Sequence, residues 1–274
     1  VGFFATSGIL NERGFFAEGF DPDALNYINR VETADDQRLE PRVRTAINQF
    51  VLGCKQDGIW TSLVTSCIMA GARTVAGAIT PLVGNAPTNN NFVAGDYSRT
   101  LGLIGNGSNK YLTTGYSNND TTNFPQNDSH ISCYITTSQT GGTGVFVGTQ
   151  STLGNILNMT YGTATQISFR NRSGSGRLFS LAPIGFQAST RNNSANFSSR
   201  ATFSGGNVSD VTTTALSGTP ANHAYGVFCG FSGATPNGFS TARMSFYSIG
   251  KSLTIASLDS RVTALMSTLT RVIA

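Results

Sequence analysis

The hydrophobic pattern of this chain changes period twice. After Asp21 and Pro22, which read as an N-cap followed by proline at the first helical position, Ala24, Tyr27, Ile28 and Val31 recur at i, i+3, i+4 and i+7. Pro41 opens a second stripe of Val43, Ile47, Phe50, Val51 and Cys54, with Gly53 and Gly58 bracketing a break. Ile59, Trp60, Leu63, Val64, Cys67 and Ile68 predict a third helix before Gly71. From about Asn91 the period shortens. SHISCYITT, TGVFVGT, TQISFRN, GRLFS, IGFQAST, SRATFSG, AYGVFCG and RMSFYSI alternate or run apolar between clusters of Gly, Asn, Ser and Pro. Many short strands so spaced predict an antiparallel sandwich or barrel. After Gly250 the period returns to helical: Leu258, Val262, Leu265, Met266 and Leu269 form one stripe, with Ser257 as its cap. The fold class is therefore mainly β, antiparallel, with an N-terminal helical segment and a C-terminal helix. The boundaries are an arm at 1–20, a helical segment at 21–85 and a β domain with its closing helix at 86–274.

The arm, VGFFATSGILNERGFFAEGF, keeps neither period, yet it carries Phe3, Phe4, Phe15, Phe16 and Phe20. So short a segment cannot bury five phenylalanines in itself. It either packs back on its own body or docks on a neighbouring subunit, and the expectation is an assembly contact, with Glu12, Arg13 and Glu18 at the rim.

Composition adds that polarity comes from Ser, Thr and Asn, since only 12% of residues are charged and 31 are glycine. The net charge of +4 is uneven. Residues 1–60 hold six basic against nine acidic residues, a net of −3, and the remainder holds twelve against five, a net of +7. No basic run or basic and aromatic interleaving points to nucleic acid. No apolar run reaches the ~18 residues of a membrane span, and no signal peptide opens the chain. Cys54, Cys67, Cys133 and Cys229 are too dispersed for zinc and read as small buried thiols, as expected of assembly in a reducing cytoplasm.

Two stretches carry a family resemblance. The tail ARMSFYSIGKSL followed by LDSRVTALMSTL resembles the end of concanavalin A-like (lectin/glucanase, laminin G-like) domains in virion proteins of tailed bacteriophages. The segment from DALNYINRVETADDQRLEPRVR through WTSLVTSCIMAGARTVAGAITPLVG, with GDYSRTLGLIGNGSNKYLTTGY, is similar to the helical lead-in and first strands of the same proteins. The likeness covers residues 23–115 and 224–270. It implies a concanavalin A-like β-sandwich in a non-enzymatic virion protein, a tail fibre, receptor-binding or capsid-decorating component. The implied location is a virion assembled in the host cytoplasm. Its partners would be other virion proteins, further copies of itself and host surface polysaccharide. A soluble carbohydrate-binding lectin is the alternative, and a degenerate glucanase the third reading.

Candidate chemistry is sparse. A glucanase needs neighbouring carboxylates as acid and nucleophile, but no Glu follows Glu40, and Asp96, Asp120, Asp128, Asp210 and Asp259 stand apart. His130 and His223 lack a G-x-S-x-G elbow and read as surface or strand-end residues, and GNGSNK lacks the ending of a phosphate loop. In NNDTTNFPQND, Asp120, Asn123 and Asp128 offer hard oxygens that suit Ca²⁺, although the cluster is also ordinary turn chemistry. No other cofactor is called for. Arg170, Arg172, Arg177, Arg191 and Arg200 are the remaining constellation; paired in order, their strands would gather them on one exposed face for an anionic glycan.

Overall fold

A computed structural model describes residues 19–150 and 157–273. Helix α1 (Pro22–Asp35) starts where Asp21 accepts a hydrogen bond from the Asp23 N–H at 3.0 Å, and it ends at Asp36 in the left-handed region. Helix α2 (Pro41–Gln56) buries the predicted stripe of Val43, Ile47, Phe50, Val51 and Cys54. Gly53 lies inside α2 rather than at a break. A Cβ there would stand 2.7 Å from the Arg261 side chain, so the glycine admits a crossing helix.

The third predicted helix does not form. A single 3-10 turn, Trp60–Ser62, leads into a strand, Leu63–Ile68, that pairs antiparallel with Arg243–Gly250. Leu63 and Ile68 meet the helices while Cys67 and Val64 meet the sandwich interior. A strand buried on both faces hides its alternation, so its apolar run passes for a helical stripe. This strand and Pro81–Val83 bring the segment before residue 86 into the main sheet. Between residues 63 and 85 the α-helix is a single short one, α3 (Val75–Ala78).

The main sheet has nine strands. Its central order runs Val208–Thr214, Asn196–Phe203, Pro183–Arg191, Ser129–Thr137, Arg243–Gly250, Leu63–Ile68, Pro81–Val83, every pairing antiparallel. The second sheet has seven strands in the order Arg177–Phe179, Ile167–Ser173, Leu157–Gly162, Gly144–Gly148, Ala224–Val227, Tyr111–Ser117, Thr88–Asn90. Ile131, Cys133, Tyr247 and Ile249 of the first sheet pack against Phe146, Val147, Ile167, Phe169 and Val227 of the second. The protein is therefore an antiparallel β-sandwich. Two of its strands are not among those predicted from the sequence: Val208–Thr214, where small polar residues dilute the alternation, and Leu157–Gly162, although Leu157, Met159 and Tyr161 alternate there.

The outer face of the nine-stranded sheet is covered. Phe186, Ala188 and Phe246 on that face share a core with the stripes of α1, α2 and α4 (Ile255–Ile273). Helix α4 begins two residues before the expected Ser257 and buries Leu258, Val262, Leu265, Met266 and Leu269. Ion pairs pin it at two points, Arg261 to Asp57 at 2.7 Å and Arg200 to Asp259 at 2.6 Å. Gly250 belongs to the last strand itself, and its role is close approach: a Cβ would meet the Ser62 carbonyl at 1.9 Å. Gly250→Ala should lower stability by about 2 kcal/mol, as overpacking against backbone does, read as a shifted urea midpoint. A shift within error would show that the strand can move aside.

All four cysteines are free and buried, and burial pushes the Cys54 and Cys67 thiols up to about 12. Among the described residues no helix is long and apolar enough to cross a membrane. Phe20 packs against the helical core of its own chain with the Arg44 guanidinium 5.6 Å from its ring centre. Phe3, Phe4, Phe15 and Phe16 lie outside the described residues.

Candidate functional site

The five arginines do not share an exposed face. Arg172 follows Asn171 at a break in register with Leu157–Gly162 and takes a φ of +54°, which turns it into the interior. There it donates to the Asn118 side-chain oxygen at 2.5 Å, to the Asn118 carbonyl, and to the Phe124 carbonyl at 2.6 Å. Arg191 is also buried. It donates to the carbonyls of Asn171 (2.8 Å), Asn193 (3.0 Å) and Ala215 (2.7 Å), and burial holds its pKa down to about 10. Arg200 faces the helices, bound to Asp259 at 2.6 Å and to Asp210. Strict alternation puts Arg170 and Arg172 on one face; the bulge between them separates them.

The proposed calcium loop is organised by protein donors. The Asn118 and Phe124 oxygens, which a cation could have used, close on the Arg172 guanidinium. Asp120 accepts from the Asn123 N–H at 3.1 Å and its Nδ2 at 2.7 Å, which lowers the Asp120 pKa. Asp128 accepts from the Ser252 N–H at 2.7 Å and hydroxyl at 2.6 Å, tying the loop to the start of α4. Asp120 and Asn123 thus serve one local turn, while Asp128 serves a separate long-range contact. Among the described residues no three His, Cys, Asp or Glu side chains gather as metal ligands.

The histidines are interior rather than surface residues. His130 lies in the strand Ser129–Thr137 with Nδ1 2.6 Å from the Lys251 carbonyl and Nε2 2.9 Å from the Ser248 hydroxyl. His223 Nδ1 accepts from the Gly233 N–H at 2.6 Å. His130 meets the Ser248 hydroxyl, but its other nitrogen is bound to the Lys251 carbonyl rather than to a carboxylate, and His223 is bonded to a backbone N–H. Two carboxylate pairs are each drawn together by one cation, Asp210 and Asp259 by Arg200 and Asp21 and Asp23 by Lys55.

One sheet face remains for a ligand. Helices cover the outside of the nine-stranded sheet, and the two inner faces form the core. The outside of the seven-stranded sheet is partly covered by a hairpin, Gly230–Ser232 with Thr235–Asn237, whose Phe231 meets Tyr111 edge to face at 5.8 Å. Beyond the hairpin, register aligns Leu178, Ser168, Tyr161 and Val145 in one row on the outward side of their strands. Val145 is buried, Tyr161 packs against it half-buried, and Leu178 is 51% exposed. Arg170, two residues from Ser168 on the same side, is half-buried with no ion pair given by any described residue, and its Nε has no hydrogen-bond partner. Arg177 lies at the margin with its guanidinium 4.9 Å from the Phe179 ring centre. From Ser129 to Ser209 the chain has no Asp or Glu, so no carboxylate of these strands reaches this face. Sequence reasoning found Arg170 and Arg177 but missed Tyr161; the signal was the alternation of Leu157, Met159 and Tyr161.

A concavity of about 660 Å³ lies on the helical side of the molecule between α2 and α4. Phe50, Leu265 and Val272 line it together with Arg42, Arg261 and Arg271. Arg261 is held by Asp57, and Arg42 and Arg271 have no ion pair among the described residues.

No family model matches this chain, and no curated protein matches its sequence. Among solved structures it is similar to the CBM40 of the Ruminococcus gnavus IT-sialidase bound to α2,3-sialyllactose, at 13% identity and a TM-score of 0.34, over 48% of this chain and 80% of that one. It is similar to the K499G mutant of NanB sialidase from Streptococcus pneumoniae at 9% identity and a TM-score of 0.36, over 48% of this chain and 23% of that one. A protein of unknown function from Shewanella oneidensis MR-1, SO2946, gives 10% identity and a TM-score of 0.35, over 61% of this chain and 85% of that one. The chain thus spans about a quarter of the NanB structures it matches. At these values the likeness is one of antiparallel strands in a sandwich, not of a shared site.

Proposed function

We propose that this protein is a non-catalytic, carbohydrate-contacting β-sandwich that takes an acidic polysaccharide on the open side of its seven-stranded sheet. The observation that carries this reading is the surface around Tyr161: an aromatic face, an exposed leucine and an arginine with no ion pair among the described residues, on strands without a carboxylate. A sugar ring can lie on the tyrosine while a carboxylate or sulfate of the polymer meets the guanidinium. The absence of a nearby acid pair argues against cleavage of what is bound, since a glycosidase needs two carboxyl groups flanking the bond. The setting we propose is a phage virion, as a fibre or receptor-binding component, supported by the resemblance of residues 23–115 and 224–270.

Affinity electrophoresis of the full chain in gels carrying uronic acid polymers or neutral dextran tests the reading. Tyr161→Ala and Arg170→Ala should each weaken retardation by the acidic polymer about tenfold, the equivalent of about 1.4 kcal/mol. Added salt should weaken the Arg170 contribution further. Equal retardation by dextran, or unchanged retardation of both variants, would overturn it.

A further inference from the structure

The strand Val208–Thr214 is an edge of the nine-stranded sheet, paired on one side only among the described residues. Its register with Asn196–Phe203 is unbroken. At one end Phe203 N–H donates to the Asn207 carbonyl at 2.9 Å, and at the other Ala215 N–H donates to the Ala195 carbonyl at 3.0 Å. In an antiparallel ladder hydrogen-bonded pairs alternate. Ser209, Val211 and Thr213 therefore turn their N–H and C=O groups inward to the sheet, and Val208, Asp210, Thr212 and Thr214 turn theirs outward.

Sheet edges are normally blunted by lysine, proline or a bulge. This strand has none of these: its one charge, Asp210, is bound to Arg200. Exposed apolar side chains mark the same margin. Val208 is 46% exposed at one end of the strand and Leu216 75% exposed just past the other. Leu181, 54% exposed, adjoins the Val208 end, where Ser204 N–H donates to the Ala182 carbonyl.

We infer that Val208–Thr214 is a self-pairing edge, which joins the same strand of a second copy antiparallel into one continuous sheet. The occupant is a second copy because the edge complements itself. A two-fold axis at Val211 sets Val208 opposite Thr214 and Asp210 opposite Thr212, so all outward groups are paired and no like charges face each other. The alternative that centres the axis on Asp210 sets two aspartates together. The chosen axis also carries Leu216 of each copy toward the Val208 end of the other, where Leu181 is exposed. Two-fold pairing within one sheet leaves both Tyr161 faces looking the same way, which would raise avidity for a repeating polymer. The inference goes beyond the carbohydrate reading and does not depend on it.

Light scattering on the full chain and on Thr212→Pro tests it. Proline is tolerated where the N–H points away from the sheet, so the variant should keep its fold while losing the edge. The wild type should have twice the mass of the variant. Val211→Cys supplies a second measurement: facing residues at the axis stand about 4.5–5.5 Å apart at Cβ, within reach of a disulfide after slight adjustment. The native cysteines are all buried and do not compete. Mild oxidation should give a covalent dimer on a non-reducing gel. Equal masses of wild type and folded variant, or a Val211→Cys protein that stays monomeric on oxidation, would overturn the proposal; if Thr212→Pro fails to fold, the cross-link alone decides.

Discussion

Arg172→Met should lower the stability of this protein by about 3 kcal/mol, the cost of taking a charged donor from the buried Asn118 and Phe124 carbonyls while the Asn118 side-chain oxygen keeps its bond from the Tyr225 hydroxyl. Arg172 is fully buried, and its guanidinium is the common donor to Asn118 and Phe124. Methionine fills much of the same volume but donates nothing. The loss should appear as a lower urea midpoint together with increased proteolysis within residues 118–128, because this guanidinium fastens that loop to the second sheet. A drop below about 1 kcal/mol would mean that water replaces it and that the loop is held by other contacts.

Acid should destabilise the protein well before its carboxylates titrate. Burial holds the His130 pKa down to about 4, although the Lys251 carbonyl and Asp128 favour the cation. In the unfolded chain the group returns to about 6.5. A depressed folded pKa means that the stabilisation is fully present above pH 6.5 and is lost as pH falls toward 4. The expected loss is about 3 kcal/mol between pH 7 and pH 4. His223, lowered by burial in the same sense, adds to the slope. Asp120 and Glu40, whose pKa values are lowered, contribute in a separate window below their ordinary values. Urea unfolding of His130→Gln across this range should show a flatter dependence than the wild type, whatever its absolute stability. An unchanged slope would mean that His130 is protonated in the fold.

Elements with one buried face were legible by period, and Ser129–Thr137, Gly144–Gly148 and Arg243–Gly250, buried on both faces, were legible as short apolar runs between turn residues. The stripes of α1, α2 and α4 and the alternation of Asn196–Phe203 each record a single boundary between core and solvent. Leu63–Ile68 was illegible because both of its faces are buried and Ile59 and Trp60 precede it at helical spacing, and Val208–Thr214 because it is built mostly of small polar residues. The arginines failed for a different reason. One left-handed residue in the bulge reverses a side chain, and no periodicity announces it. Arg191 was placed on the surface because its partners are carbonyls of three separated segments, which no local pattern brings together. Tyr161 gains its place only from the neighbours that register sets beside it, Ser168 on one side and Val145 on the other.

Amide hydrogen exchange on the full chain, with and without a uronic acid oligosaccharide, locates the ligand directly. The account predicts added protection in Leu157–Gly162, Ile167–Ser173 and Arg177–Phe179, with none in α2 or α4. Protection confined to the cleft between α2 and α4, or no protection at a saturating oligosaccharide concentration, would contradict it.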